Sequence, residues 1–175
     1  YALNRNTAGS RNIANGSYAL FRNTTGSNNT GNGAYALYSN TTGERNSANG
    51  SYALYENTTC SYNLASGYGS LQNNTTGNFN VAIGHKAAEN NNGSSNIFIG
   101  NNSCSALTNS SNSLCIGGTN PLISGNFLTQ RVLIDGTVVI TGDLYVSGAI
   151  YEGDNGGDDG FDSVDEITSG SSNQE

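Results

Sequence analysis

Methionine and tryptophan are absent, proline and histidine each occur once, and only 11% of the 175 residues are charged. Each shortage excludes something. One histidine, His85, cannot build a His-based metal cluster or a His-dependent catalytic triad within one chain. It is expected as a solvated turn residue, although a three-fold assembly would bring three copies together. Six basic residues against 13 acidic ones leave a net charge of −7, with no basic, aromatic-interleaved patch for nucleic acid. No apolar run approaches the roughly 20 residues of a membrane span. Three cysteines, Cys60, Cys104 and Cys115, cannot all pair and do not read as a disulfide framework. Cys115 is expected as a buried free thiol; a Cys104–Cys115 bridge has no spacing rule behind it. No nucleophile elbow, phosphate loop or carboxylate pair appears, so no catalytic, cofactor-binding or metal-binding residue is assigned and the chain is expected not to be an enzyme.

Hydrophobic residues make up 34%, below the roughly 45–50% of an ordinary domain. Asn, Ser, Thr and 24 glycines take their place. Disorder would need high charge as well, which is missing. A polar, uncharged, glycine-rich chain can fold when stacked repeats replace a large core.

The repeat is there. YALNRNTAGSRNIANGS from Tyr1, YALFRNTTGSNNTGNGA from Tyr18, YALYSNTTGERNSANGS from Tyr35 and YALYENTTCSYNLASGY from Tyr52 are near-copies with a period of 17. A fifth starts at Gly69, a sixth from Lys86 has lost one residue, and a seventh ends at Gly117. Leu3, Leu20, Leu37, Leu54 and Leu71 form an apolar column. Ala14, Ala48, Ala65 and Ala82 share a mostly small column with Gly31, Phe98 and Cys115, which implies a cramped interior. Asn12, Asn29, Asn46, Asn63, Asn80 and Asn96 form a column suited to a hydrogen-bonded ladder and to left-handed turns. Gly16, Gly33, Gly50, Gly67 and Gly84 fall where φ is positive or backbones approach closely.

Asn80–Gly84 and Asn96–Gly100 are strand-length apolar runs, Tyr-Ala-Leu is a second short strand, and no 3.6-residue stripe supports a helix. Two short strands and two turns per coil predict a solenoid over residues 1–117. Seven coils at about 4.8 Å would make a rod of roughly 33 Å.

Asn-Val-Ala-Ile-Gly at 80–84, with echoes at 96–100 and 114–117, resembles the head repeat of YadA-like trimeric autotransporter adhesins. The Tyr-Ala-Leu-x-x-Asn-Thr-Thr-Gly form is similar to repeats of phage and large-virus tail fibres. The resemblance implies an all-β fold, a trimeric left-handed parallel β-roll. Asn15, Asn32 and Asn49 stand where that family usually has Ile, so the early turns are expected to be more polar. The residues argue for a trimer independently. Val81 and Ile83 alternate with Ala82, and Ile97 and Ile99 with Phe98; one face fills the roll and the other needs a partner.

Residues 118–130, with Pro121, break the period and read as a neck. Over 131–151, Gly136, Gly142 and Gly148 recur every six residues between short apolar strands. This hexad pattern looks like the intertwined triple β-helix stem of virus fibres, with an ordinary β-meander as the alternative. Residues 152–175 are acidic and expected to form a flexible tail. Their Asp154–Asp162 cluster does not match the EF-hand calcium spacing. The chain begins at Tyr1 and is expected to belong to a longer gene product.

The leading expectation is a structural fibre segment of a virus or phage, on the virion surface or extracellular, that supports host attachment. Its partners would be two further copies, other fibre or virion proteins, and a host glycan or protein receptor. The alternatives are a bacterial trimeric adhesin head and, from another class, an ice-binding solenoid built on the file Thr7, Thr24, Thr41, Thr58 and Thr75. Asn-x-Ser/Thr sites at Asn23, Asn40, Asn57 and Asn74 read as a by-product of the Asn-Thr-Thr turn.

Overall fold

The computed structural model describes residues 1–135. The fold is all-β: a parallel β-solenoid of about six turns. Seven strands, β1 (Ile13–Asn15), β2 (Thr30–Asn32), β3 (Ser47–Asn49), β4 (Leu64–Ser66), β5 (Val81–Ile83), β6 (Ile97–Ile99) and β7 (Ser113–Gly117), stack in chain order. Each pairs in parallel with the next at a 17-residue offset, except β5–β6, where Val81 pairs with Ile97 across the lost residue. Two antiparallel strands follow, β8 (Pro121–Asn126) and β9 (Arg131–Ile134). Residues 118–130, read as a neck, therefore carry β8, and the first residues of the expected stem carry β9. The remainder of the hexad stem and the acidic tail lie outside the described residues.

Residues that a strand points inward make the core: Ala48, Ala65, Ala82, Phe98 and Cys115 are buried, opposite Leu20, Leu37, Leu54 and Leu71. Volume is conserved coil by coil. Leu71 faces the coil of Ala82; in the next coil the sizes swap, with Ala88 in the leucine column and Phe98 in the small one; in the last, Cys104 and Cys115 take the two places. A close-packed interior tolerates this exchange because the sum, not each member, must fit.

Tyr-Ala-Leu is not a strand, contrary to the sequence expectation. Tyr18, Tyr35 and Tyr52 have φ near 60°, and Leu20, Leu37 and Leu54 near 52°. The alternation leaves backbone groups free to bond between coils, as in Leu20 N–H to Ala36 C=O (2.9 Å) and Leu37 N–H to Ala53 C=O (3.0 Å). Left-handed leucine costs roughly 1–2 kcal/mol per residue. Burial of a leucine side chain, about 1.5–3 kcal/mol, offsets it. Nor is the Asn12 column the left-handed one. The preceding column is, through Arg11, Asn28, Arg45, Tyr62 and Phe79.

Two asparagine files run the length of the roll. In the first, each side-chain oxygen accepts the backbone N–H one coil on: Asn29 N–H to Asn12 Oδ1 (2.9 Å), Asn46 to Asn29 (2.9 Å), Asn63 to Asn46 (3.0 Å) and Asn80 to Asn63 (3.0 Å). The second holds Asn23, Asn40, Asn57 and Asn74, all fully buried. Each donates to the carbonyl three residues on (2.8–3.0 Å) and to the previous Asn Oδ1. The glycosylation-type triplets are thus interior structure. In the shortened coil this file fails: Asn91 Nδ2 is buried without a protein partner.

Cys60 stands in a glycine column, beside Gly26, Gly43 and Gly77. A Cβ on Gly43 would lie inside contact distance of the Cys60 carbonyl and Asn40 Oδ1. In the Gly9, Gly26 and Gly43 turns, three successive N–H groups converge on one carbonyl of the next coil, as Thr24, Thr25 and Gly26 do on Thr41 (2.9–3.2 Å); the Gly77 turn, against the shortened coil, instead sends Thr75 N–H to Asn92 Oδ1 and Gly77 N–H to Asn74 Oδ1. The bonds lengthen from Thr41, Thr42 and Gly43 to Thr58 (2.8, 3.3 and 3.4 Å), and the Thr58–Cys60 turn makes no such bond to Thr75 among the described residues. The neighbouring Asn74–Asn57 rung stretches to 3.4 Å. Cys60→Gly is therefore expected to stabilise the roll by about 1 kcal/mol, regained hydrogen bonds of about 1 kcal/mol each outweighing the entropy of glycine. Urea unfolding would show it; a lower midpoint would refute the strain argument.

Candidate assembly face

Residues on either side of each inward alanine point out. One outward column reads Leu64, Val81, Ile97 and Leu114; the other reads Ile83, Ile99 and Ile116. The antiparallel pair extends both, because Ile116 pairs with Ile123 and Ile123 with Ile134, while Leu114 pairs with Gly125 and Gly125 with Val132. Five isoleucines thus cross β5 to β9 in one line. Ile83 is 41% exposed, Ile99 36%, Ile134 42% and Val132 64%. Gly125 leaves a notch of about 210 Å³ between Leu114 and Val132, walled by Phe127. Toward the N-terminus the same face turns polar, through Asn15, Asn32, Asn49 and Ser66.

Over β1 to β7 this is a parallel sheet covered on one side only, and β8 and β9 continue it antiparallel. Parallel sheets are ordinarily buried on both faces. The inward and outward residues fall as the alternation in the sequence implied.

A second surface is aromatic. Tyr1, Tyr18, Tyr35 and Tyr52 stack at 5.2–5.4 Å between centroids, and Phe21, Tyr38 and Tyr55 at 5.2–5.5 Å beside them. Arg5 lies over Phe21 and Arg22 over Tyr38, 5.4 and 5.0 Å from the centroids. The rings spend their faces on one another, so the file acts as a rib rather than a stacking platform for a ligand. Burial, with Glu56 and Tyr38 close by, pushes the Tyr55 phenol up. Sequence reading passed over this rib, though the Tyr/Phe column three residues after each Tyr was the signal.

Threonine hydroxyls of Thr7, Thr24 and Thr41 bond to the next coil's carbonyl (3.0–3.1 Å), and Thr25, Thr42, Thr59 and Thr76 form the exposed file beside them. These residues lie in a bend, so strand alternation does not assign the two files to opposite faces. His85 is exposed, stacks on Tyr68 at 5.6 Å and has Nδ1 3.1 Å from Asn101 Oδ1. No group of three His, Cys, Asp or Glu side chains suited to a metal occurs among the described residues. No helix among them is long and apolar enough to cross a membrane.

Cys104 and Cys115 are joined, with Cα atoms 6.3 Å apart. This corrects the free-thiol expectation for Cys115: the leucine and alanine columns face each other across the core, and the last coil places a cysteine in each. Cys60 is free and buried, and burial pushes its thiol up. Its contribution to stability is complete below the ordinary thiol range and is lost as pH rises from that range through the higher folded value, because the unfolded chain ionises first. A thiol reagent at pH 8 should find no reactive group in the folded chain, one after unfolding, and three after reduction. Breaking the bridge, which spans 11 residues, should cost about 3 kcal/mol. A thiol titrated in the folded chain would contradict the burial of Cys60.

Comparison with family models, with curated proteins and with solved structures gives no match. The chemistry of the chain's own surfaces therefore carries the functional reading.

Proposed function

We propose that this chain is a structural, non-catalytic segment of a homotrimeric fibre on a virion surface, supporting attachment to a host. The observation that carries it is the apolar outer face of β4 to β9. An exposed stripe of this kind marks an interaction surface, and a two-layer coil with small residues inside has little core of its own. Three copies related by a three-fold axis would bury the stripe, β9 included, against itself. The polar N-terminal end of the same face would then be the looser part of the seam. A disulfide in the last coil supports an extracellular setting, since such bonds persist in oxidising compartments. The aromatic rib and the asparagine files suit a load-bearing rod, where each coil is held by its neighbours.

Light scattering on the intact chain tests the reading. A trimer is expected. Ile99→Asp places a charge in the middle of the stripe and should yield monomers or unfolded chain, whereas Thr42→Asp, on the exposed threonine file, should leave the trimer intact. A folded monomer for the parent chain would refute it.

A further inference from the structure

Tyr18, Tyr35 and Tyr52 stand one period apart, and so do Tyr38 and Tyr55. All five are half-buried, and each ring stacks on its counterpart in the adjoining coil. The centroids lie 5.2 Å apart in Tyr18–Tyr35, Tyr35–Tyr52 and Tyr38–Tyr55, and the ring planes are within 7°, 13° and 10° of parallel. Rings repeated in this way are related by little more than a translation along the roll. Each carbon ortho to a phenol oxygen therefore faces the same carbon of the next ring at about the centroid spacing. The one tyrosine hydroxyl that is hydrogen-bonded among the described residues is that of Tyr62, to Arg45, so the five phenols of the rib are not held by polar partners.

Electron loss is the chemistry open to such phenols. Tryptophan and methionine, the other readily oxidised side chains, are absent from the sequence, and the free thiol, Cys60, is buried. A one-electron oxidant arriving at the surface therefore meets tyrosine first. A phenoxyl radical carries unpaired density on its ortho carbons, and two such radicals join through them. In an unfolded chain that step waits for two rings to collide. In the roll the second ring is already in place, which makes a bimolecular step unimolecular.

We propose that the aromatic rib is a site of oxidative cross-linking, at which a one-electron oxidant joins Tyr18 to Tyr35, Tyr35 to Tyr52 and Tyr38 to Tyr55 as dityrosine. Each phenol gives up one electron and its hydroxyl proton. The two ortho carbons, one Cε of each ring, form a C–C bond. The hydrogens they carried move to the phenol oxygens and restore both hydroxyls. In sum, two electrons pass to the oxidant, two protons pass to water, and one link closes. Tyr35 has a partner on each side and joins one of them at a time. Tyr38 has Tyr55 alone, because Phe21 on its other face has no phenol. One period beyond Tyr52 and Tyr55 stand Gly69 and Gln72, where both files stop. Each link spans 17 residues and staples one coil to the next.

Tyr62 and Tyr68 supply the comparison. They are more open, at 43% and 48% exposed, but the ring stacked on Tyr62 is Phe79 and the ring stacked on Tyr68 is His85. Trypsin places Tyr18 in peptide 12–22, Tyr35 and Tyr38 in 23–45, and Tyr52, Tyr55, Tyr62 and Tyr68 in 46–86. The intact chain would be oxidised briefly with a photolysed ruthenium tris-bipyridyl complex and persulfate. Chains that still run singly on a denaturing gel would be digested, and linked peptides, lighter by two hydrogens, sequenced by mass spectrometry. Links of 12–22 to 23–45 and of 23–45 to 46–86 are expected at the residues named, at least about tenfold more abundant than after oxidation in guanidinium. Tyr35→Phe keeps the stack and should remove the first link while leaving Tyr38–Tyr55. Adding Tyr38→Phe should remove the second as well. Links carried mainly by Tyr62 or Tyr68, or a yield unchanged by guanidinium, would mean that exposure rather than stacking governs the reaction, and would overturn the proposal.

Discussion

Gly50→Ala is expected to lower the unfolding free energy by about 2–6 kcal/mol, while Gly118→Ala leaves it unchanged or slightly raised. Gly50 closes the third coil with φ 142°. A Cβ there would lie 2.5 Å from Gly67 C=O and 2.6 Å from its carbonyl carbon. Both are backbone atoms of the next coil, held by their own ladder bonds, so no flexible side chain can yield. The strained dihedral costs about 1–3 kcal/mol and overpacking a similar amount. Against a typical total of about 5–15 kcal/mol, that is a large share. At Gly118 the nearest atom to an added Cβ is Asn101 C=O at 3.7 Å, an ordinary contact, and alanine there stiffens the unfolded chain. Urea melts of the two variants separate the ideas. If Gly50→Ala unfolds within 0.5 kcal/mol of the parent, roughly the scatter of neutral surface changes, then the coil spacing is not what fixes this column as glycine.

The glycine column shows why part of this fold was legible. A residue type recurring at a fixed period under a steric constraint is visible without coordinates, and the leucine, alanine and Asn12 columns were read the same way. Left-handed leucine was not legible. Nothing in Tyr-Ala-Leu marks a positive φ, and the conformation exists only because coils above and below supply its hydrogen-bond partners. The second asparagine file was hidden by a more familiar meaning, since Asn-Thr-Thr reads as a surface triplet, yet these asparagines are among the most buried residues. The Cys104–Cys115 bridge has no motif spacing. It becomes visible only by placing Asn102-Ser103-Cys104 beneath Lys86-Ala87-Ala88 and Tyr52-Ala53-Leu54, which puts Cys104 in the leucine column opposite Cys115.

The asparagine files carry the other large effect. Asn46→Ala should cost about 2–4 kcal/mol, and Asn32→Ala under about 0.5, although both remove one asparagine from a periodic ladder. Asn46 is 1% exposed and works in both directions. Its Oδ1 accepts Asn63 N–H at 3.0 Å, and its Nδ2 donates to Cys60 C=O at 2.8 Å and to Asn29 Oδ1 at 3.2 Å. Cys60 C=O keeps a second donor in Asn57, so its loss is partial. Asn63 N–H has no other acceptor and becomes a buried orphan, which alone costs about 1–3 kcal/mol. Asn32 bonds only to Asn49 at the surface, where water replaces the partner. Asn46→Leu discriminates between packing and polarity, for it refills the space but restores no hydrogen bond. It should be no better than alanine. Asn46→Asp keeps the acceptor for Asn63 but turns a second carboxylate oxygen toward Cys60 C=O, so at neutral pH it should be worse than alanine. Chemical denaturation of the four variants gives the ranking. A leucine variant as stable as the parent would mean that the file fills space rather than pairing the backbone.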